Sequence, residues 1–466
     1  MPKGNNTEIR HRVIVVGAGF SGLVAARELE AAGVDVSIYE ARNRIGGRAW
    51  TDHRMGYDLE MGATWVHWMQ PFVWSEITRY DQKIYASPYP TTAYWVGAGK
   101  AYTGSKDELM KIFYPLQHKI FEGSREFFPY PHDPFYILND KSTSPELLKR
   151  FLAADTGSVL DCLRDAGYSQ EEIDLADSYW SGASQGPTAT CSPMMAKHWA
   201  ALSDHRGDLL DEQTLGFKLA KGMKGLYTSI ASDIKATINL NTAVAAIEHT
   251  DVGVRVTLAD GTVDMADAVI VTVPIGALKN IELSPALNED QQNLVREGSN
   301  SVGCKIWIKV KGRHEMAAAA PGNNPISLMQ CEYFGEDDTT VLVGFGADHE
   351  AIDLTSVESA QKAMNVWSKD FVVVDCTGHD WVADKWSGQT WATLKSGQFF
   401  KGWNLFSGTD TRLRFAGADW ARGWNGVVVD GAIESGITTA RRLVREFRAG
   451  LLGSPLEPNP KTTSVA

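Results

Sequence analysis

Residues 13–40, VIVVGAGFSGLVAARELEAAGVDVSIYE, leave little choice of local structure. Val13 to Val16 form a continuous apolar run that suits a parallel strand buried on both faces. Leu23 to Ala32 read as a helix of strong formers stopped by Gly33, and Val34 to Tyr39 as a second strand ended by Glu40. The glycines between strand and helix differ in what they allow. Gly17 makes the tight turn, Gly19 lets backbone approach a pyrophosphate, and Gly22 lets the helix pack on the strand. Phe20 and Ser21 open the helix, whose N–H groups then face an anion. Glu40 lies 18 positions beyond Gly22, where an acidic side chain takes the hydroxyls of an adenosine ribose and disfavours a 2'-phosphate. A lone G-x-G-x-x-G also fits a glycine-rich turn, but strand, glycines, helix, strand and acid in this order predict a dinucleotide site.

Ala41 leads into Arg42-Asn43-Arg44-Ile45-Gly46-Gly47-Arg48. Such a loop suits a pyrophosphate, with Arg44 and Arg48 balancing charge and Gly46-Gly47 admitting close backbone approach. It equally suits a solvated basic turn.

At 466 residues the chain is long for one core, so two domains with interleaved segments are expected. Its 44% hydrophobic and 22% charged residues describe an ordinary globular protein. A net charge of -12 argues against nucleic-acid binding. Five widely spaced cysteines without a C-x-x-C pair predict free thiols in a cytoplasmic-type compartment and no metal site. The polar start MPKGNNTEIRHR lacks a leader, no apolar run reaches roughly 18 residues, and GSPLEPNPKTTSVA reads as a frayed tail, so no membrane is expected.

Residues 13–51 followed by EMGATWVHW (Glu60 to Trp68) resemble the opening of the FAD-dependent amine oxidases, the monoamine oxidase family. Phe415-Ala416-Gly417-Ala418-Asp419-Trp420 and Asp430-Gly431-Ala432-Ile433-Glu434-Ser435-Gly436 resemble that family's second flavin signature. GATWVHWMQPFVWSEITRY looks most like the soluble bacterial and fungal members that act on cyclic and nicotine-like amines. The implied fold class is α/β (α+β overall), a Rossmann-like FAD-binding domain interleaved with a mixed sheet-and-helix substrate-binding domain. Residues 1–80, 219–294 and 396–466 are expected to form the first; residues 81–218 and 295–395, the second. Within the first, 242–247, 252–258 and 268–273 read as strands, with Asp260-Gly261 as a hairpin turn.

The resemblance implies FAD contacts from Gly17, Gly19, Phe20, Ser21, Gly22, Glu40, Ala41, Arg42, Gly47 and Arg48, and from Gly62-Ala63-Thr64-Trp65. It adds Val244 at the adenine, Asp419 near the ribityl or phosphate groups, and Val428 and Val429 at the entry to the last helix. Asp430 reads as the N-cap of that helix, whose positive end would face the flavin.

Ser301 to Val310 alternate Lys305, Trp307 and Lys309 on one strand face with Ile306, Ile308 and Val310 on the other. By residue type alone Lys305 is an ordinary strand lysine; the resemblance implies that it holds a water near flavin N5. In membrane-bound relatives the position of Thr390 is a cysteine joined to the flavin, so threonine implies non-covalent FAD. Trp391 matches one wall of an aromatic cage, and Trp386 reads as packing. The opposite wall is undecided: Val427, Val428 and Val429 stand where an aromatic residue is usual, so either the cage is half open or Trp424 or Asn425 turns inward. Other pocket candidates are Tyr94, Trp95, Tyr179, Trp180, Met194, Met195 and Tyr333.

The expected activity is oxidation of a small amine to an imine, hydrolysed to an aldehyde or ketone, with dioxygen reduced to hydrogen peroxide. The partners are thus the amine and dioxygen, with a homodimer left open. An L-amino-acid oxidase would need an arginine for the substrate carboxylate, and a polyamine oxidase could use Glu336-Asp337-Asp338. A desaturase or a non-catalytic flavoprotein are the remaining rivals.

Overall fold

A computed structural model describes residues 10–406 and 412–453. The expected leaderless start lies largely, and the Pro-rich tail almost wholly, outside them. Strand β1 (Arg12–Val16) is the centre of a five-stranded parallel sheet, flanked by β2 (Asp35–Tyr39) and by Ala268–Val271, with Ile238–Asn239 and Leu413–Phe415 at the edges. Its continuous apolar run is used on both faces. Val13 and Val15 pack with the helices, whereas Ile14 and Val16 pack against a second sheet.

That second sheet joins Val244–His249, Val254–Leu258 and Val263–Ala266 antiparallel, with Glu282–Ser284 parallel to the first of them. Asp260-Gly261 makes the expected turn, Gly261 having φ +86° and Leu258 N–H bonding Thr262 O. Helix α1 (Phe20–Ala31) lies on the other face beside the C-terminal helix Val429–Arg448. Gly436 allows that approach, because a Cβ there would stand 2.3 Å from the Ser21 carbonyl oxygen.

A seven-stranded sheet runs in the order Val373–Gly378, Cys304–Lys311, Thr339–Gly346, Leu328–Gly335, Met316–Ala319, Thr92–Gly97, Lys100–Ser105. All its pairs are antiparallel except Met316–Ala319 with Thr92–Gly97. The alternation read in Cys304–Lys311 holds. Ile306, Ile308 and Val310 enter one core, Trp307 enters another with Leu59 and Met61, and Lys305 shares that side. Among the described residues no helix is long and apolar enough to cross a membrane.

Candidate active site

The turn after β1 is held by steric limits that distinguish its three glycines. Gly17 has φ +106°, and a Cβ there would meet Thr272 Oγ1 at 2.5 Å. A Cβ on Gly22 would lie 2.0 Å from the Gly17 carbonyl oxygen. On Gly19 it would meet nothing closer than 3.9 Å, in ordinary contact with Gly46 and Gly47, so this position admits a Cβ without collision. Gly19 is also the N-cap of α1 and offers no side-chain cap, which leaves the first-turn N–H groups for a ligand.

Gly46 N–H donates to the Ala18 carbonyl at 2.9 Å, laying Gly46-Gly47 against the same turn. Glu40 is 6% exposed; its two carboxylate oxygens accept from Ala18 N–H (2.7 Å) and Arg42 N–H (2.8 Å), which orients the group and leaves lone pairs for hydroxyl donors. One charge partner differs from expectation. Arg44 stacks its guanidinium 4.4 Å above Trp50 and lies off the cavity, while Arg42, bonded to Asp384 and Ser387, lines it with Arg48.

These residues begin a single cavity of about 2070 Å³ of empty space, counting its open mouth. It runs past Val244 and Trp386 at one end, and past Arg48, Thr390 and Gly62 to Trp65 on to Lys305, Trp391, Trp424 and Val427 to Val429 at the other. Gly22 and Asp419 are the two expected contacts that do not line it. Gly22 is spent on packing beneath Gly17. Asp419 lies behind the wall: Arg48 Nη2 donates to Oδ1 at 2.6 Å, and Ile275 N–H and Gln389 Nε2 donate to Oδ2 at 3.0 and 2.9 Å. Its carboxylate therefore holds Arg48 in place; the other end of that guanidinium bonds the Thr390 carbonyl at 2.8 Å.

Two further readings are corrected. Val428, not Asp430, is the N-cap of the last helix. Asp430 stands in the first turn and caps a different helix, accepting from Phe72 N–H (2.7 Å) and Val73 N–H (2.8 Å) at the start of Pro71–Arg79. Burial pushes its carboxyl up to about 7. Trp386, read as packing, is half-buried and lines the cavity beside Ser387 and Ile281.

At the far end Lys305 is 2% exposed and donates to the Gly62 carbonyl at 2.8 Å and to Thr64 Oγ1. Its Nζ lies 5.3 Å from the Trp65 ring and 5.0 Å from Trp307. Burial pushes this amine down to about 7, opposed by Glu60 and Glu332 and reinforced by Lys218. Phe345 meets both Trp65 and Trp391 at 6.0 Å between ring centroids.

Trp424 is the residue that turns inward: it is fully buried, lines the cavity, and belongs to the same apolar core as Tyr179 and Trp199. Asn425 turns away to the carbonyls of Asp419 and Ala421. Of the other aromatic and methionine candidates only Tyr179 reaches the cavity. Phe345, Leu328, Gln185, Trp199 and Leu210 also line this end; sequence reading missed them because four sit in helices or strands that read as ordinary core and Gln185 is the left-handed cap that ends the helix Gln170–Ser184. Among the described lining residues the charged ones are Glu40, Arg42, Arg48 and Lys305. Glu40 and Arg42 belong to the glycine-turn end, and Arg48 lies between the two ends with its guanidinium held by Asp419 and the Thr390 carbonyl. Asp337 of the acidic turn pairs instead with Lys309 at 2.8 Å and lies off the cavity.

The chain fits FAD on observations of its own. Gly19 opens a cradle that a Cβ would fill. Ser21 Oγ and Thr390 Oγ1, buried on lining residues, have no partner among the described residues. Glu40, the α1 N-terminus and Arg48 supply ribose and phosphate groups in order.

Residues 20–444 match the family model described as flavin containing amine oxidoreductase. The chain is similar to the pseudooxynicotine dehydrogenase of a Pseudomonas species, 29% identical over 92% of this chain and 85% of that one. It is also similar to the nicotine dehydrogenase of Pseudomonas putida, 30% identical over 92% of this chain and 88% of that one. A solved putrescine oxidase superposes with a TM-score of 0.76 at 22% identity, covering 94% of this chain and 99% of that one, and shares its fold.

Proposed function

This chain belongs to the flavin-containing amine oxidoreductases and performs FAD-dependent amine oxidation, and from that premise we propose a substrate with one amine on an apolar, ring-sized body. The observation that carries this reading is the charge census of the chamber. Around Lys305 the wall is mostly aromatic and aliphatic, with Gln185, Thr214 and Thr64 as neutral polar groups and without a carboxylate for a second ammonium or an arginine for a carboxylate. Charged groups of either kind would enter this chamber at a desolvation cost of several kcal/mol (~3 or more).

When bound, FAD supplies the two-electron acceptor for the C–H beside the nitrogen, and the resulting imine hydrolyses to a carbonyl compound. The chain's part is to bind and orient. Trp391, Phe345 and Trp65 hold an apolar body and exclude water, and the low polarity favours the neutral amine over its ammonium form. Lys305, anchored by Gly62 and Thr64, keeps a donor or a lone pair beside the reacting carbon, according to its protonation. FAD is held without a covalent bond, as Thr390 supports, and dioxygen is the acceptor, yielding hydrogen peroxide. The FAD-binding part comprises 1–80, 219–294 and 396–466, and the enzyme works in a reducing cytoplasm, a reading supported by its five free thiols.

A substrate panel tests this. Cyclic and arylalkyl monoamines are expected to turn over, and putrescine, spermidine and amino acids to fail; strong turnover of diamines or amino acids overturns the reading. Because two relatives are named dehydrogenases, rates with air and with an artificial electron acceptor are compared, and an enzyme fast only with the latter overturns the dioxygen assignment.

A further inference from the structure

Behind Lys305, away from the cavity, lies a buried ion pair that the reaction does not touch. Lys218 Nζ bonds Glu332 Oε2, with side chains 3% and 0% exposed. Gln330 Nε2 (2.7 Å) and Ser87 Oγ (3.3 Å) also donate to Glu332. Two packed routes connect the pair to Lys305. On one, Ser87 Oγ accepts from Trp65 Nε1 at 3.1 Å, and the Trp65 ring lies 5.3 Å from Lys305 Nζ. On the other, Lys218 Nζ sits 4.2 Å from the Tyr333 ring, which packs 6.0 Å from Trp307, itself 5.0 Å from Lys305 Nζ. Glu60 closes the group: its carbonyl accepts from Trp307 Nε1 at 3.0 Å, and its carboxyl from Met223 N–H and Thr51.

Two lysines and two glutamates, each 4% exposed or less, are thus fixed on four strands around one aromatic partition. Tyr57, Tyr85 and Tyr333 are further ionisable groups packed there, with Tyr227 close to Glu60 and the Cys331 thiol close to Glu332. A buried pair of this kind adds little stability over an apolar pair of equal volume. Its lasting consequence is a field on whatever charge lies nearby.

We infer that Lys218 and Glu332 are positioning residues whose opposed charges set the protonation of Lys305 and, by the same field, the ease with which bound FAD takes up negative charge. The inference rests on the reading of Lys305 as the group working beside the cofactor. Ionised, the four residues sum to zero. Loss of the Glu332 charge leaves Lys218 uncompensated, which discourages a proton on Lys305 and favours negative charge in the cavity. Loss of the Lys218 charge does the reverse.

Two readouts on the FAD-loaded enzyme test this: the pH midpoint for reoxidation of the substrate-reduced enzyme by air, and the flavin midpoint potential measured well above that pH midpoint, where Lys305 is neutral in every variant. Glu332→Gln is expected to lower the pH midpoint by about one unit and raise the potential; Lys218→Met is expected to raise the midpoint by about one unit and lower the potential. Tyr85→Lys and Tyr85→Glu add charges at an exposed ring beside the pair, without breaking it, and should give smaller shifts in the same respective directions. They decide the matter if a buried variant fails to fold. Shifts of one sign in both members of a couple, or none, overturn the inference. In Lys305→Met the pH transition should vanish. Its persistence there overturns the Lys305 reading itself, whereas its loss there, with no opposed shifts elsewhere, overturns the ion-pair inference alone.

Discussion

The indole N–H of Trp391 donates to the carbonyl oxygen of Ala183 at 3.0 Å, tying a loop residue to the end of the helix Gln170–Ser184. That bond, with the edge of Phe345 against the ring, fixes one wall of the chamber before any ligand arrives. Trp391→Ala is expected to lower kcat/KM for a good monoamine about 10- to 100-fold, ~1.4–2.7 kcal/mol, without loss of FAD. Trp391→Phe, which keeps a ring but not the donor, should recover most of it. Steady-state kinetics beside flavin absorbance checks both, and FAD loss in the alanine variant would place Trp391 in the cofactor site instead.

The glycine turn separates binding from folding. A Cβ on Gly19 makes only ordinary contacts with Gly46 and Gly47, so Gly19→Val should fold with its secondary structure intact and lose FAD affinity about 100-fold, ~2.8 kcal/mol. A side chain on Gly22 collides with the Gly17 carbonyl, so Gly22→Val should lose about 3 kcal/mol or more of stability whether or not FAD is added. Circular dichroism and FAD titration of the two variants distinguish these outcomes; equal damage to both properties in each would refute the division.

Thr390 lines the cavity with its hydroxyl unpartnered among the described residues and has no sulfur to join to a flavin. Acid precipitation of the holoenzyme should therefore release all of its FAD into the supernatant. Yellow colour retained in the washed pellet is the contrary result.

Asp430 supplies a pH signature in stability. Its carboxyl, raised to about 7 by burial, keeps its proton in the folded protein to a higher pH than in the unfolded chain, where it titrates near ~3.9. Between those values the folded state binds more protons, so this group's contribution to stability falls as pH rises through the window. Asp430→Asn retains an oxygen to accept from Phe72 and Val73 and removes the fall. Its stability relative to the wild type, followed by Tm against pH, should rise from about pH 4 to about pH 7, by up to about 4 kcal/mol, and then level off. A Tm difference independent of pH would show that the carboxyl ionises normally.

What could be read in the sequence was mostly what the backbone demands. Gly17, Gly19 and Gly22 are legible because each role follows from a missing side chain, and Glu40 because its place is fixed by the second strand. Lys305 needed the resemblance, since a strand lysine carries no signal of its burial. The errors share one cause, which is that partners distant in sequence decide what a polar or aromatic residue does. Arg44 was drawn to Trp50 rather than to the cavity, and Asp430 to a helix more than 350 residues away in sequence. Trp199 and Leu210 belong to helices whose pattern is that of core, and only the assembled fold brings them to the cavity wall together with Trp424.

The central claim, that FAD bound in this cavity takes electrons from a single amine on an apolar body, is tested by anaerobic mixing of the purified yellow protein with one equivalent of candidate amine. The flavin absorbance is expected to bleach with a cyclic or arylalkyl monoamine and to stay unchanged with putrescine or an amino acid. Bleaching by the diamine or the amino acid, with the monoamines inert, would contradict the account.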